Sequence, residues 1–199
     1  MRSLMLHELV KAVFLDKDGT LVRDEPYNVD PEKVVFEDHV FEGLRTLQGD
    51  GYRLVIVSNQ PGLAMGLFSQ TELDALVRYF EDRFAENGVM LAGFYYCPHL
   101  PATPGAACDC RKPEPGLLLR AAAELHIDLS RSWMVGDILN DVEAGNRAGC
   151  RTVLIDNGNE TEWETGPYRE PDYTTRYFLD ATDYITAQTI SSDDTTQLP

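Results

Sequence analysis

Carboxylates recur at the ends of short apolar runs in this chain. The run Val10–Leu15 stops at Asp16-Lys17-Asp18-Gly19-Thr20, and Trp133–Val135 stops at Gly136-Asp137, with Asp141 one helical turn on. A third run, Arg53–Val57, ends in Ser58-Asn59-Gln60, and Lys112 follows later. Asp-x-Asp where a strand unwinds brings two carboxyl groups together, and Gly19 permits the sharp turn this requires. Such acids can divide labour, one attacking and one moving protons, if their environments separate their pKa values. Gathered carboxylates also repel one another. A hard cation such as Mg²⁺, which prefers oxygen ligands, relieves that repulsion. Taken singly, each Asp reads as a turn or cap residue. As a set with a hydroxyl, an amide and an ammonium, they read as a site.

A second group is softer. Cys97-x-His99 and Cys108-x-Cys110 offer three thiols and an imidazole within fourteen residues. That is the complement of a closed, structural tetrahedral Zn²⁺ site. The intervening loop carries Pro98, Pro101, Pro104 and Gly105 and has little core of its own, so a metal could supply its order. The competing reading is free thiols or a disulfide. Cys150 stands apart after Gly149 and reads as a buried filler.

These residues need elements to position them, and the apolar periodicity supplies them. Val40, Leu44 and Leu47 form a helical stripe closed by Gly49 and Gly51. Ser69 and Glu72 form a capping-box pattern ahead of the stripe Leu73, Leu76, Val77, Phe80 and Phe84, which ends at Gly88. Gly93–Tyr96 reads as a short strand, and Pro115 as the first turn of a helix through Leu118, Leu119, Ala122 and Leu125. Ile138–Ala148 is a helix stopped by Gly149, and Thr152–Ile155 a strand. Strand and helix alternating with short connections predict a parallel sheet covered on both faces. Ligands bind such sheets beyond the carboxyl ends of the strands, where the acids stand.

Length and charge bound the rest. The chain has 199 residues, 43% of them hydrophobic, with 33 acids against 17 bases and a net charge of −16. One domain is expected over 1–190, with 191–199 a polar C-terminal tail. Residues 156–199 hold ten acids and two bases, so half of the net charge lies in that segment. The segment around Tyr173–Ile185 offers an edge strand or a helix. Nucleic acid is not an expected partner, because phosphate-backbone binding needs clustered Lys and Arg. The start, Met1–Glu8, lacks an apolar core of signal-peptide length, and no run reaches membrane-span length. A cytoplasmic monomer with no membrane partner is expected.

The acid set resembles a known family. Asp16-x-Asp18-Gly19-Thr20, Ser58-Asn59, Lys112 and Gly136-Asp137-x-x-x-Asp141 are similar, in order, to the four motifs of the haloacid dehalogenase (HAD) superfamily of phosphatases. The resemblance implies a Rossmann-like three-layer α/β/α fold, Mg²⁺ and an aspartyl-phosphate intermediate. It implies Asp16 as nucleophile and Asp18 as general acid and base. Ser58 would hydrogen-bond the phosphoryl group and Lys112 balance its charge. Asp16, the Asp18 carbonyl and Asp137 would hold Mg²⁺, with Asp141 in support. General acid–base work by Asp18 favours phosphatase over dehalogenase chemistry.

Tyr95-Tyr96-Cys97-Pro98-His99 and Cys108–Pro113 resemble the family's capless, Zn²⁺-containing branch, which acts on heptose bisphosphate and histidinol phosphate. Only 39 residues separate Asp18 from Ser58 and 53 separate Ser58 from Lys112, leaving no room for a cap domain. Specificity for a small phosphorylated sugar would then come from Asp24, Tyr27, Asn59, Gln60 and Arg111. Gly62-Leu63-Ala64-x-Gly66 and Pro115–Leu118 resemble the heptose members. Met65 and Ile138 depart from them, standing where those members carry bases. That leaves Arg111 as the main cation for a second phosphate. A DNA-end phosphatase and a non-enzymatic Zn²⁺-binding module are the other readings.

Overall fold

The computed structural model describes residues 9–101 and 108–193, with side chains to residue 188. Strand β1 (Ala12–Leu15) is buried along its whole length, as expected of a central strand in a sheet covered on both faces. Its residues alternate between two cores. Val13 and Leu15 face one, with Leu54 and Ile56; Ala12 and Phe14 face the other, with Val55 and Val57.

Six parallel strands make the sheet, in the order β3-β2-β1-β4-β5-β6. They are β1, β2 (Arg53–Asn59), β3 (Leu91–Cys97), β4 (Trp133–Gly136), β5 (Arg151–Ile155) and β6 (Tyr173–Thr175). Helices α1 (Val40–Gly49), α2 (Gln70–Glu86) and α5 (Phe178–Asp193) pack their apolar stripes on the first face. Helices α3 (Gly116–Leu125) and α4 (Leu139–Ala148) cover the second. The alternation of elements follows the apolar pattern of the sequence. In α2 the capping box forms as the sequence predicts, with the Ser69 side chain accepting from the Glu72 N–H and the Glu72 carboxylate accepting from the Ser69 N–H. Phe80 and Phe84 of that helix are fully buried, and truncating either to Ala would cost about 3–5 kcal/mol.

Several boundaries differ from the sequence reading, among them β3, which runs Leu91–Cys97 and is longer at both ends than the expected Gly93–Tyr96. Val10 makes only an isolated bridge with Ile127 and lies outside β1, because that end of β1 has no neighbour long enough to pair. Tyr173–Ile185 is neither strand nor helix alone but supplies both, β6 and the start of α5. Helix α5 continues to Asp193, three residues into the stretch expected as tail. Residues 194–199, the loop residues Pro104 and Gly105, and Met1–Glu8 with His7 lie outside the described residues. Between β1 and β2 stand only loops, a 3-10 turn (Pro31–Lys33) and α1, and between β2 and β3 only loops and α2, so the fold is capless. Among the described residues no helix is long and apolar enough to cross a membrane.

The strand order reverses between β1 and β4, which lie side by side. Connections leave those two strands in opposite directions, so a crevice opens beyond their carboxyl ends. Asp16 and Asp137 are the first carboxylates past those ends.

Candidate active site

A cleft of about 300 Å³ opens at this point. Its lining includes Asp16, Asp18, Ser58, Lys112, Asp137 and Asp141, and also Asp24, Tyr27, Asn59, Gln60 and Arg111. Every residue that the sequence assigned to catalysis, Mg²⁺ or substrate therefore faces one space. The Cys97, His99, Cys108 and Cys110 group lies outside it, in its own cluster.

Lys112 is the hub. Its ammonium is buried and pairs with Asp16 Oδ1, with Asp141 Oδ1 at 2.6 Å, and with the Val57 carbonyl at 3.0 Å. Lys112 is itself held by Asn59, whose amide donates to the Lys112 carbonyl at 3.2 Å and accepts from the Lys112 N–H at 3.1 Å. Both polar atoms of Asn59 are thus engaged with backbone, and it fixes Lys112 while lining the cleft. Gln60 is similar. It is buried, and its amide donates to Ser58 Oγ at 2.9 Å and to Asp18 Oδ2 at 3.4 Å. Tyr27 reaches the cleft with a backbone φ of 58°, in the left-handed region that non-glycine residues seldom adopt.

Charge is crowded here. Asp16, Asp137 and Asp141 are buried, and their ligand atoms all lie within 4.8 Å of one another. Burial, then the charges of Asp16 and Asp141, push Asp137 up to about 8. Burial also raises Asp141 to about 6, with Lys112 working the other way. Asp18 is raised too, chiefly by burial, although its partner Lys17 opposes the shift. Burial alone would lower the Lys112 ammonium. Asp141 and Asp16 outweigh it, and Lys112 stays above the ordinary lysine value. Three close carboxylates against one shared ammonium leave uncompensated negative charge, and an all-oxygen donor set of this kind fits a hard divalent cation.

In the second cluster, Cys110 Sγ stands 2.9 Å from Cys97 Sγ and 3.2 Å from His99 Nδ1, and Cys108 Sγ lies 3.6 Å from Cys97 Sγ. The three cysteines are free thiols, so the disulfide reading does not hold. A tetrahedral site with metal–sulfur bonds of about 2.3 Å separates its ligands by roughly 3.8 Å. The Cys108 distances, 3.6 Å to Cys97 and 3.7 Å to Cys110, match that spacing, and the Cys97–Cys110 pair is tighter. Cys108 is drawn down to about 7: burial opposes ionisation, but hydrogen bonds from the Arg111 backbone and the neighbouring thiols outweigh it. Arg111 joins the two clusters, donating to the His99 carbonyl at 3.2 Å while lining the cleft.

The comparisons with known proteins bear on this geometry directly. A profile described as HAD-hydrolase-like matches residues 109–181. A D-glycero-beta-D-manno-heptose-1,7-bisphosphate 7-phosphatase of Pasteurella multocida is 45% identical over 74% of this chain and 83% of its own length. The Escherichia coli K12 protein of the same name is 42% identical over 75% of this chain and 81% of its own. The chain belongs to the HAD family of phosphatases. Among solved structures, the D,D-heptose 1,7-bisphosphate phosphatase from B. bronchiseptica, complexed with magnesium and phosphate, superposes with a TM-score of 0.77. It is 28% identical, and the match covers 89% of this chain and 99% of that one. As a HAD phosphatase the chain is a phosphoric monoester hydrolase.

Several contacts of this site are not given by the motifs, although Thr20 itself belongs to one of them. Lys17 is buried and pairs with Asp18. Thr20 Oγ1 donates to Asp137 Oδ1 at 3.4 Å. Asn159 Nδ2 donates to Asp137 Oδ2 at 2.7 Å, and Asn157 Nδ2 to the Gly19 carbonyl at 2.6 Å. The available signal was Asn157-Gly158-Asn159 directly after a strand, a turn-forming sequence on the ligand edge of the sheet.

Proposed function

We propose that this phosphatase is Mg²⁺-dependent and removes the 7-phosphate of D-glycero-D-manno-heptose 1,7-bisphosphate through an aspartyl-phosphate intermediate. The observation that carries the chemistry is Asp16, buried at the reversal of strand order and paired with Lys112 beneath an open cleft. The substrate rests on the names of the relatives that span three-quarters of the chain.

In this reading a carboxylate oxygen of Asp16 attacks phosphorus while Asp18 gives its proton to the departing sugar oxygen. Asp18 then takes a proton from the water that hydrolyses the aspartyl phosphate, and Asp16 and phosphate are released. Burial that raises the Asp18 carboxyl suits a group that must begin protonated. Lys112 opposes the charge of Asp16 and of the phosphoryl group, and the Ser58 hydroxyl donates to a phosphoryl oxygen. Phosphoryl transfer is mostly positioning and charge neutralisation, which these residues supply. Asp16, Asp137 and the Asp18 carbonyl would hold Mg²⁺, with Asp141 in support, and the ion would supply charge neutralisation at the transferring group. Cys97, His99, Cys108 and Cys110 would hold Zn²⁺ as a structural ion that orders the loop carrying Arg111 and Lys112. The free thiols suit a reducing compartment, so we assign the enzyme to the cytoplasm, acting as a monomer on a small sugar phosphate.

Asp24, Tyr27 and Arg111 are assigned to the sugar and its second phosphate. Among the described residues lining the cleft, Arg111 is the one cation besides the doubly paired Lys112. Ile138 lines the cleft where heptose members of the family carry a base, and this favours histidinol phosphate as the second reading. A kinetic panel tests the choice: both anomers of the heptose bisphosphate, histidinol phosphate and a 3′-phosphorylated oligonucleotide. The bisphosphate should give the highest kcat/KM. A higher value for histidinol phosphate overturns the substrate assignment, and no Mg²⁺-dependent turnover of any of them overturns the chemistry.

A further inference from the structure

The acidic segment after β5 is the part of the chain to which the sequence attaches no role, yet its side chains turn back onto the site. Asn157 holds the Gly19 carbonyl at 2.6 Å, and Asn159 holds Asp137 Oδ2 at 2.7 Å. Asn157 Oδ1 also accepts from the Asn159 N–H at 3.1 Å, so the two amides are fixed relative to one another. One residue on, Glu160 Oε2 accepts from the Leu139 N–H at 2.7 Å and satisfies an otherwise open donor at the start of α4. Gly19 is what lets these groups converge. A Cβ there would stand 2.0 Å from Asp137 Oδ2 and 2.4 Å from Asn159 Nδ2. The bare Cα, in a turn with φ of 76°, is the floor on which the Asp137–Asn159 pair rests.

A carboxylate near a terminal rotor can present either oxygen, and one that is free to turn binds a cation less well than one already aimed. An amide donor on Oδ2 at 2.7 Å removes that freedom and leaves Oδ1 with the longer, 3.4 Å bond from the Thr20 hydroxyl. Outer partners of this kind change metal affinity by about 10–100-fold when lost. We infer that Asn159 is a positioning residue for Mg²⁺: it occupies one oxygen of Asp137 so that the other faces the cation, and Asn157 steadies the Gly19 turn beneath the pair. The inference rests on the Mg²⁺-dependent reading above. It assigns to the segment after β5 the job of tying the first motif to the fourth.

The test is a calorimetric titration of MgCl₂ into the full-length, Mg²⁺-free protein. Asn159→Leu keeps the branching and heavy-atom count of the side chain, in a somewhat larger volume, and removes the donor. It should weaken Mg²⁺ binding about tenfold or more. Its melting midpoint without Mg²⁺ should stay within about 2 °C. Arg169→Ala is the control, because Arg169 tethers the same segment to Glu143 and Asn140 without touching Asp137. It should leave Mg²⁺ affinity within about threefold. Unchanged affinity in Asn159→Leu overturns the inference, and so does an equal loss in Arg169→Ala, which would make the segment a mere tether. Asn159→Ala carries the comparison if Asn159→Leu does not fold. A wild-type protein that binds no Mg²⁺ overturns the Mg²⁺ reading itself, a result distinct from the other two.

Discussion

Cys97, His99, Cys108 and Cys110 fall within fourteen residues of chain, whereas Asp16, Asp137 and Asp141 are gathered from the ends of β1 and β4, far apart in sequence. The thiol cluster is local and partly open to solvent, with only Cys97 buried. The acid cluster is buried throughout and depends on two neighbouring strands of one sheet. Soft ligands on a proline-rich loop have little holding them together except a metal. Hard ligands on strand ends are held by the core beneath them and kept from flying apart by Lys112. On the proposed assignments the first arrangement would make metal part of folding, and the second would make metal part of chemistry. Lys112 stands two residues after Cys110, so the loop that one metal would order delivers the ammonium that the other site needs.

The largest expected effect breaks the chemical side alone. Asp16→Asn should lower kcat by at least about a thousandfold, because in the proposed mechanism the Asp16 carboxylate is the group that attacks phosphorus. Its circular dichroism should match wild type. Turnover near the wild-type level would remove Asp16 from that role.

Chelation separates the two clusters next. Stripping Mg²⁺ should abolish phosphate release from p-nitrophenyl phosphate and restore it fully on readdition. Removing Zn²⁺ should instead lower the melting midpoint, read by scanning calorimetry. If both treatments act on turnover with no change in melting, the division between the clusters fails.

Lys112→Met tests the hub. It leaves Asp16 and Asp141 buried without their cation, and removing one partner of a buried pair costs about 3–5 kcal/mol. The loss should appear in urea denaturation at neutral pH, together with a collapse of kcat. A variant as stable as wild type would show that the two carboxylates are not strained against each other.

Cys110→Ser should release bound Zn²⁺, measured by metal analysis, and lower the midpoint by several degrees, about 1–2 kcal/mol. Turnover of p-nitrophenyl phosphate, which does not need Arg111, should fall less than about tenfold. Cys150→Ala is the smallest change. Cys150 is buried beside α4 and belongs to neither cluster, so the variant should lose about 1 kcal/mol of stability and no Zn²⁺ or activity.

Much of this was legible in the residues because the relevant signals are local. Apolar period marked β1, β2, β4 and β5 and the stripes of α1 to α4, and Ser69 with Glu72 marked the start of α2. The thiol set was legible for the same reason, since its spacing lies within one loop. The acid set could be read only because Asp16 and Asp137 each follow a strand, Asp141 lies one turn into the next helix, and the parallel-sheet rule places strand ends on one edge. Contacts made by middle-sized polar side chains could not be read. Nothing in the spacing of Asn59 from Lys112 announces that its amide clamps the Lys112 backbone, and nothing near Lys17 announces its pairing with Asp18. Asn159 lies 22 residues beyond Asp137, across α4 and β5, and only the return of the chain brings them together.

The sequence by itself determined which residues carry charge, thiol and hydroxyl, the order in which they come, and the layered α/β frame that exposes them on one edge. These follow from side-chain chemistry and apolar periodicity, which act over a few residues. The tertiary structure alone decided how the charges meet: Lys112 shared between Asp16 and Asp141, Asp137 pinned against Gly19 by Asn159, and Arg111 set between the cleft and the thiol loop. Those outcomes depend on packing distances of a few ångströms between segments far apart in the chain. Electrostatic energy is steep at that range, and residue order does not encode it.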